Sequence, residues 1–487
     1  MSSAQTSDPH ITVPITRVIL VAATAALGGF LFGFDTAVIN GAVSAIGEQF
    51  NAGPFLLGFA VASALIGCAV GAWFAGRIAD RYGRIRVMLI AAALFIISAL
   101  GCGFAFSIWD LSFWRVVGGL GVGAASVIAP AYIAEVSPPE HRGRLGSLQQ
   151  MAIVSGIFVA LLTDAAIVAT AGSSTEPWLL GAEAWRWMFV SAVIPALIYG
   201  ALALTIPESP RYLIARGEMK RAKDVLTRYV GGHVEKTTTD ILKTVEGKSD
   251  RPRFSILHGS KFGLLPIVWV GIGLSVLQQF TGINVIFYYS STLWQAVGFT
   301  EQDSLTITVI TSVTNIVTTV VAILLIDKVG RKPLLLVGAI GQFVCLAVLA
   351  VVFATAPIVN GQPMLEGAAG TTALLAANLY VVFFGASWGP VVWVLLGEMF
   401  SNRIRAVALS VAAAAQWAAN FVISTTFPAL ASVGLGLAYG VYTFFALVAI
   451  FFVLRFVRET KGRTLESMTD TEPARAAKTP KPAKTAE

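Results

Sequence analysis

Asp80-Arg81-Tyr82-Gly83-Arg84 closes one apolar stretch, and 247 positions later Asp327-Lys328-Val329-Gly330-Arg331 closes another. Two more pairs follow the same order. Glu135 followed by Arg142-Gly143-Arg144 answers to Glu398 followed by Arg403-Ile404-Arg405. Pro207-Glu208-Ser209-Pro210-Arg211 answers to Glu459-Thr460-Lys461-Gly462-Arg463. Three matches at a near-constant offset mark a duplicated unit, and duplicated sets of helices are typical of carriers that rock one half against the other.

Around these motifs the chain is apolar. Of 487 residues 56% are hydrophobic and 13% charged, where a soluble domain of average composition has about 25% charged. A soluble protein could not hide that much apolar surface, so lipid is the solvent of most of the chain. Twelve stretches have the length to cross a bilayer as helix: 18–41, 54–75, 86–107, 110–134, 146–169, 186–206, 263–290, 303–326, 333–355, 371–397, 405–430 and 432–456. The second is the weakest, interrupted by polar and small residues. The expected fold is therefore an all-α membrane protein with two pseudo-symmetric six-helix bundles, at 18–206 and 263–456. An N-terminal segment 1–17, a polar linker 207–262 with short helices, and a tail 457–487 complete the chain; the last fifteen residues of the tail read as disordered. No cleavable signal is expected, since residues 1–16 carry no basic cluster.

Lys and Arg set the orientation. With the N-terminus inside, all but Arg115 and Arg186 of the 34 basic residues lie in or beside cytoplasmic segments. Glu48, Asp164, Glu176, Glu183, Glu301, Asp303 and Glu366 mark the opposite face. The net charge of +7 is thus an orientation signal, and a nucleic-acid partner is not expected. Cys68, Cys102 and Cys345 lie in apolar stretches and read as buried hydrophobes, with no metal site.

The six repeated motifs all fall on the cytoplasmic side. One reading is helix capping and topology. The other is a set of gate ion pairs between the bundles, drawn from Asp80, Arg84, Glu135, Arg142, Arg144, Glu208, Arg211, Asp327, Arg331, Glu398, Arg403, Arg405 and Glu459. Exposed pairs contribute only about 0–1 kcal/mol each, which suits a switch.

Two charges remain deep, Asp35 in the first span and Arg115 in the fourth. Both sit roughly 8–9 Å below the outer surface at about 1.5 Å per residue, so they can meet. A structural ion pair is one reading; a proton site is the other, since intramembrane charges are expensive and usually functional. The buried amides are Gln150, Gln278, Gln279, Asn284, Asn315, Gln416 and Asn420. Each offers donor and acceptor without charge, which matches sugar hydroxyls, and Trp393 and Trp417 offer apolar faces. Interhelical hydrogen bonding is the alternative. Neighbouring Gln278 and Gln279 are expected to point in different directions. Gly118-Gly119-Leu120-Gly121-Val122-Gly123 reads as close helix packing, and Gly247-Lys248-Ser249 lacks the upstream glycine of a phosphate loop.

Arg77-Ile78-Ala79-Asp80-Arg81-Tyr82-Gly83-Arg84, Pro207-Glu208-Ser209-Pro210-Arg211, Gln278-Gln279-Phe280-Thr281-Gly282-Ile283-Asn284 and Glu459-Thr460-Lys461-Gly462-Arg463 resemble the signatures of the sugar porter family of the major facilitator superfamily, over about residues 18–466. The resemblance implies the major facilitator fold and a substrate site of Gln150, Gln278, Gln279, Asn284, Asn315, Trp393 and Gln416. It implies adjacent roles for Phe32, Ile157, Tyr288, Phe384, Gly389, Trp417 and Asn420. It also implies that Gly33-Phe34-Asp35 carries the coupling acid, with Arg115 as partner. Two departures stand out: Ala192 where some proton-coupled relatives carry an acid, and Arg458 where the last motif usually begins with Pro.

The expected function is proton-coupled import of a monosaccharide, with glucose first and xylose, galactose or myo-inositol next. A facilitative uniporter and a non-transporting sugar sensor are the alternatives. An enzyme is disfavoured, since His10, His141, His233 and His258 all lie in tails or cytoplasmic segments. No cofactor is expected beyond the proton as coupling ion, and the chain is expected to act as a monomer in the bilayer.

Overall fold

The computed structural model of the chain describes residues 10–11, 13–138, 142–246, 254–259, 263–359, 362–365, 367–400 and 404–461. The expected disorder of the last fifteen residues and the Gly247-Lys248-Ser249 stretch lie outside them. Among the described residues, twelve helices are long and apolar enough to cross a membrane. They are α1 (Ile15–Ala37), α2 (Pro54–Tyr82), α3 (Arg84–Gly103), α4 (Ile108–Val136), α5 (Leu145–Ala171) and α6 (Ala184–Ala203) in the first half. The second half holds α7 (Pro266–Gln295), α8 (Glu301–Ile326), α9 (Arg331–Ala354), α10 (Gly367–Met399), α11 (Val407–Val433) and α12 (Leu435–Phe456). Helix is the local solution that satisfies each backbone group in lipid without a partner strand. Large apolar side chains such as Leu20, Phe113, Ile194, Leu324 and Phe451 stay exposed on the outside of the bundles, where hydrocarbon replaces water.

The second span is not weak: α2 runs unbroken for 29 residues. Its small residues are there because α4 lies against it. A Cβ added at Gly119 would sit 2.0 Å from the Ala64 carbonyl oxygen, and one at Gly67 2.1 Å from that of Val116. The glycine run 118–123 is therefore a packing surface. Gly119→Leu has no space into which to relax, and overpacking of this kind costs about 1–3 kcal/mol or more. A fall in the detergent-solubilised melting temperature, with loss of folded yield, checks it.

The two halves repeat their turns. Gly83 (φ +96°) ends α2 and Gly330 (φ +106°) ends α8, a conformation open to glycine. Between the halves, the linker helices Pro210–Ala215, Met219–Val225 and Val234–Glu246 pack around Leu213, Ile214, Ala222 and Val225. A two-residue strand, His10–Ile11, pairs antiparallel with Gly232–His233 of this linker.

The halves meet along α2 with α11 and α5 with α8. The cross-half hydrogen bonds among the described residues cluster at one end, here termed the far end, opposite the basic loops. Asn40 Nδ2 donates to the Phe287 carbonyl at 3.1 Å and the Ser291 N–H to Asn40 Oδ1 at 3.2 Å. Ser44 and Thr292 hydroxyls lie 3.4 Å apart, and the Ser174 N–H donates to Glu301. The far end is shut in this structure.

Candidate functional site

At the basic end, the repeated motifs build two matching clusters. Arg84 grips Glu135 of α4 through two bonds, Nε to Oε2 at 3.0 Å and Nη2 to Oε1 at 2.9 Å. Arg331 grips Glu398 of α10 in the same fashion, at 3.0 and 2.7 Å. The third Arg84 nitrogen donates to Ala79 O and that of Arg331 to Ile326 O. Glu208 accepts from the N–H groups at the start of α3, Arg84 and Ile85, and Glu459 accepts from Arg331 and Lys332 at the start of α9. Such carboxylates complement the positive ends of those helices.

Ion pairs between the bundles, expected to hold the basic end shut in one state and to part in the other, are not found among the described residues of this structure, whose opposite end is shut. The pairs described join helices of the same half, and Asp80 adds a 3.4 Å contact to Arg84 one turn away. The reason is reach: the glycine turn aims each arginine back under its own bundle, where an acid of the fourth helix of that half waits. Arg211 makes no ion pair among the described residues, and Arg405 donates to the Phe400 carbonyl. The side chains of Arg142, Arg144, Asp327 and Arg403 lie outside the described residues.

Burial alone would raise the Glu459 carboxyl, but the N–H groups of Lys461, Arg331, Lys332 and Thr460 outweigh it and hold it below the ordinary 4.5. A depressed carboxyl stabilises the folded state above its unfolded value and loses that contribution as pH falls through its folded value. The melting-temperature difference between parent and Glu459→Gln is expected above about pH 5.5 and is expected to shrink on acidification below it.

Inside the molecule, two helices break where a cavity needs polar groups. α7 is interrupted at Thr281 and at Gly282 (φ +87°), separating Pro266–Phe280 from Ile283–Gln295. α10 widens into a π turn at Phe384–Trp388, just before Pro390, which brings no N–H to the ladder. Broken helices are tolerated at membrane depth where they line a cavity. Gln278 Nε2 uses the loosened α10, donating to the Trp388 carbonyl at 2.8 Å and to that of Gly389 at 3.3 Å.

The cavity holds about 160 Å³ and lies between the halves. From the first half it is lined by Phe32, Gln150 and Ile157; from the second by Gln278, Gln279, Asn284, Tyr288, Asn315, Phe384, Gly389, Trp393, Gln416, Trp417 and Asn420. Gln278 and Gln279 do not point apart. Their side chains lie 3.4 Å from each other, because the break lets both turn inward, and Asn284 donates to Gln279 Oε1. Asn420 Nδ2 donates to the Tyr288 hydroxyl at 3.4 Å. The Phe32 and Trp417 rings meet across the halves with centroids 5.7 Å apart. Gln416 Oε1 is buried without a partner. Thr36, Ile153, Val154, Ile283, Phe287, Thr319 and Gly385 also line the cavity. Sequence reasoning passed over these, although Thr36 follows Phe32 and Thr319 follows Asn315 at the i, i+4 spacing that shares a helix face.

Beside the cavity, Arg115 Nη1 lies 3.3 Å from Asp35 Oδ2 and 3.0 Å from the Asp35 carbonyl, while Nη2 donates to Val61 O at 3.3 Å. Both residues are buried, Arg115 3% and Asp35 9% exposed. The deep charges number more than these two. Asp164, read from sequence as an acid of the outer face, is completely buried within α5. Ala192, at the position where an acid was noted as missing, sits at a break between the helical segments Ala184–Ser191 and Val193–Ala203 of α6.

Two bundles of six helices with a polar cavity at their junction define a membrane carrier rather than an enzyme. The chain belongs to the sugar transporter family, whose description, "Sugar (and other) transporter", matches residues 21–471. It is 61% identical to a glucose transport protein of Synechocystis sp., over 95% of this chain and 99% of that one. It is 39% identical to a D-xylose-proton symporter of Escherichia coli, over 91% and 93%. Among solved structures it resembles the inward-open conformation of the xylose transporter XylE from E. coli, with TM-score 0.77 and 35% identity over 93% of this chain and 99% of that one.

Proposed function

We propose that this chain is a proton-coupled monosaccharide symporter that imports D-glucose or a related hexose or pentose by alternating access. The observation that carries the reading is on α1. Phe32 and Thr36 line the cavity, and Asp35, between them in sequence, pairs with Arg115. One helix thus carries both a wall of the cavity and the acid of the charge pair. When Asp35 takes a proton, Arg115 keeps its bonds to the Asp35 and Val61 carbonyls but loses its counter-charge, and its Nε has no partner, so the protonated pair is a less stable arrangement that favours a change of state. The relatives named as a glucose transport protein and a D-xylose-proton symporter support both the substrate class and the coupling.

In this reading the shut far end faces outward and both termini lie on the cytoplasmic side of the cell membrane, which the excess of Lys and Arg in the loops of that side supports. A single cavity of this size suits one sugar ring, and the proton serves as the coupling ion without any further cofactor. The protein acts as a monomer.

Purified protein in liposomes, an imposed pH gradient and a panel of labelled sugars test the proposal. The expected result is gradient-driven accumulation of glucose accompanied by proton uptake. Sugar equilibration with no proton uptake identifies a uniporter instead, and sugar binding without flux identifies a sensor.

A further inference from the structure

Among the described residues, Asp164 is a completely buried carboxyl side chain inside the spans that neither the cavity nor the Asp35 pair uses. Its Oδ2 accepts from the Gly41 N–H at 3.2 Å, and its Oδ1 is buried with no partner. Burying a carboxyl group so poorly satisfied is expensive, and such groups are kept where they serve a purpose. The approach is close: a Cβ at Gly41 would lie 2.8 Å from Asp164 Cβ and 2.9 Å from its Cγ. Only a residue without Cβ lets the carboxyl reach this peptide.

The peptide that Asp164 holds lies next to the cross-half latch. Asn40 is fully buried and exchanges three hydrogen bonds with α7: Nδ2 to Phe287 O, Ser291 N–H to Oδ1, and Ser291 Oγ to Asn40 O. Residues 39–42 have left the regular α1 ladder for tight turns, with Asn40 N–H bonded to Ala37 O and Ala42 N–H to Ile39 O. The orientation of Asn40 therefore depends on what fixes its neighbour.

We propose that Asp164 is a positioning residue of the far-end gate: by holding the Gly41 peptide from α5 it aims Asn40 at α7 and favours the shut state. The proposal rests on the alternating-access reading but not on the sugar or the coupling ion. Acceptance of a hydrogen bond is the property required, and an asparagine carbonyl supplies it too.

Ser44→Cys provides a reporter at the same gate, since Ser44 faces Thr292 and the three native cysteines are buried. The readout is its labelling by a membrane-impermeant maleimide applied from the far side of reconstituted vesicles. Asp164→Ala is expected to raise the labelling rate about fivefold or more, the shift from one lost buried hydrogen bond, with Asp164→Asn within about twofold of the parent. Asn40→Ala is expected to raise labelling as much, and Asp164→Ala on top of it to add less than about twofold, because the two act through one latch. Gly41→Ala, which crowds the carboxyl away, is expected to behave like Asp164→Ala and stands in for it should that variant fail to fold. Unchanged labelling in Asp164→Ala or Gly41→Ala, an Asp164→Asn that labels like Asp164→Ala, or full additivity with Asn40→Ala overturns the proposal. Failure of the transport reading is seen separately, as labelling of the parent that does not respond to added sugar.

Discussion

Asp35→Asn is expected to abolish uphill sugar accumulation while exchange of labelled for unlabelled sugar continues. The variant keeps the shape of the side chain and removes its ability to gain and lose a proton. Arg115 loses its counter-charge but retains its bonds to the Asp35 and Val61 carbonyls, and folded yield of the variant is measured alongside transport. The energy at stake is large. One proton per sugar crossing a potential of 100 mV supplies about 2.3 kcal/mol, and each 1.4 kcal/mol is about a factor of ten, so the accumulation ratio falls from about fifty-fold to about one. Counterflow and gradient-driven uptake in the same liposomes separate the two outcomes. A variant that still concentrated sugar would remove Asp35 from the coupling step. Arg115→Ala makes a useful contrast, since it leaves the acid buried without a counter-charge, and losing one member of a buried pair costs about 3–5 kcal/mol.

Gln416→Leu is expected to raise the KM for sugar tenfold or more with a smaller change in the maximal rate. Gln278 and Asn284 already spend hydrogen bonds on the protein, on the Trp388 carbonyl and on Gln279. Gln416 Oε1 has no protein partner although it is buried at the cavity wall, so it is an acceptor left for a ligand hydroxyl. A hydrogen bond in a desolvated site, lost with its partner left unsatisfied, costs about 1–3 kcal/mol, roughly five- to 150-fold in affinity. Leucine is close in volume and leaves the packing of Trp417 alone. Initial rates of exchange against sugar concentration give the split between KM and maximal rate. A KM unchanged within about twofold would show that the sugar does not bond there.

The twelve spans were legible because lipid imposes a local rule. Every backbone group must find its partner within its own helix, so length and hydropathy suffice. The repeat was legible for a related reason: each half needs the same glycine turn and the same arginine, and Gly83-Arg84 and Gly330-Arg331 stand in corresponding places. The polar residues of the cavity stood out against an apolar background, whereas Ile153, Val154 and Phe287 looked like any other lipid-facing or core residue. The pairing of charges was not legible. Arg84 and Glu135 were named, but the sequence does not say that they belong to each other rather than to the opposite bundle. Asp164 was visible as a letter and misplaced, since its depth along α5 suggested the outer face and only the helix's rotation buries it.

By itself, then, the sequence determined the helices, their number, their duplication and the chemical character of the interior. Each of these follows from what single segments require of lipid. The tertiary structure alone decided that Gln278 spends its amide on α10, that Arg84 and Arg331 stay within their own halves here, that Asn40 bonds across the halves at the far end, and that Asp164 accepts from the neighbouring Gly41 peptide. Those facts depend on how helices distant in sequence rotate and pack against one another, and no rule local to one helix can fix the partner it will meet.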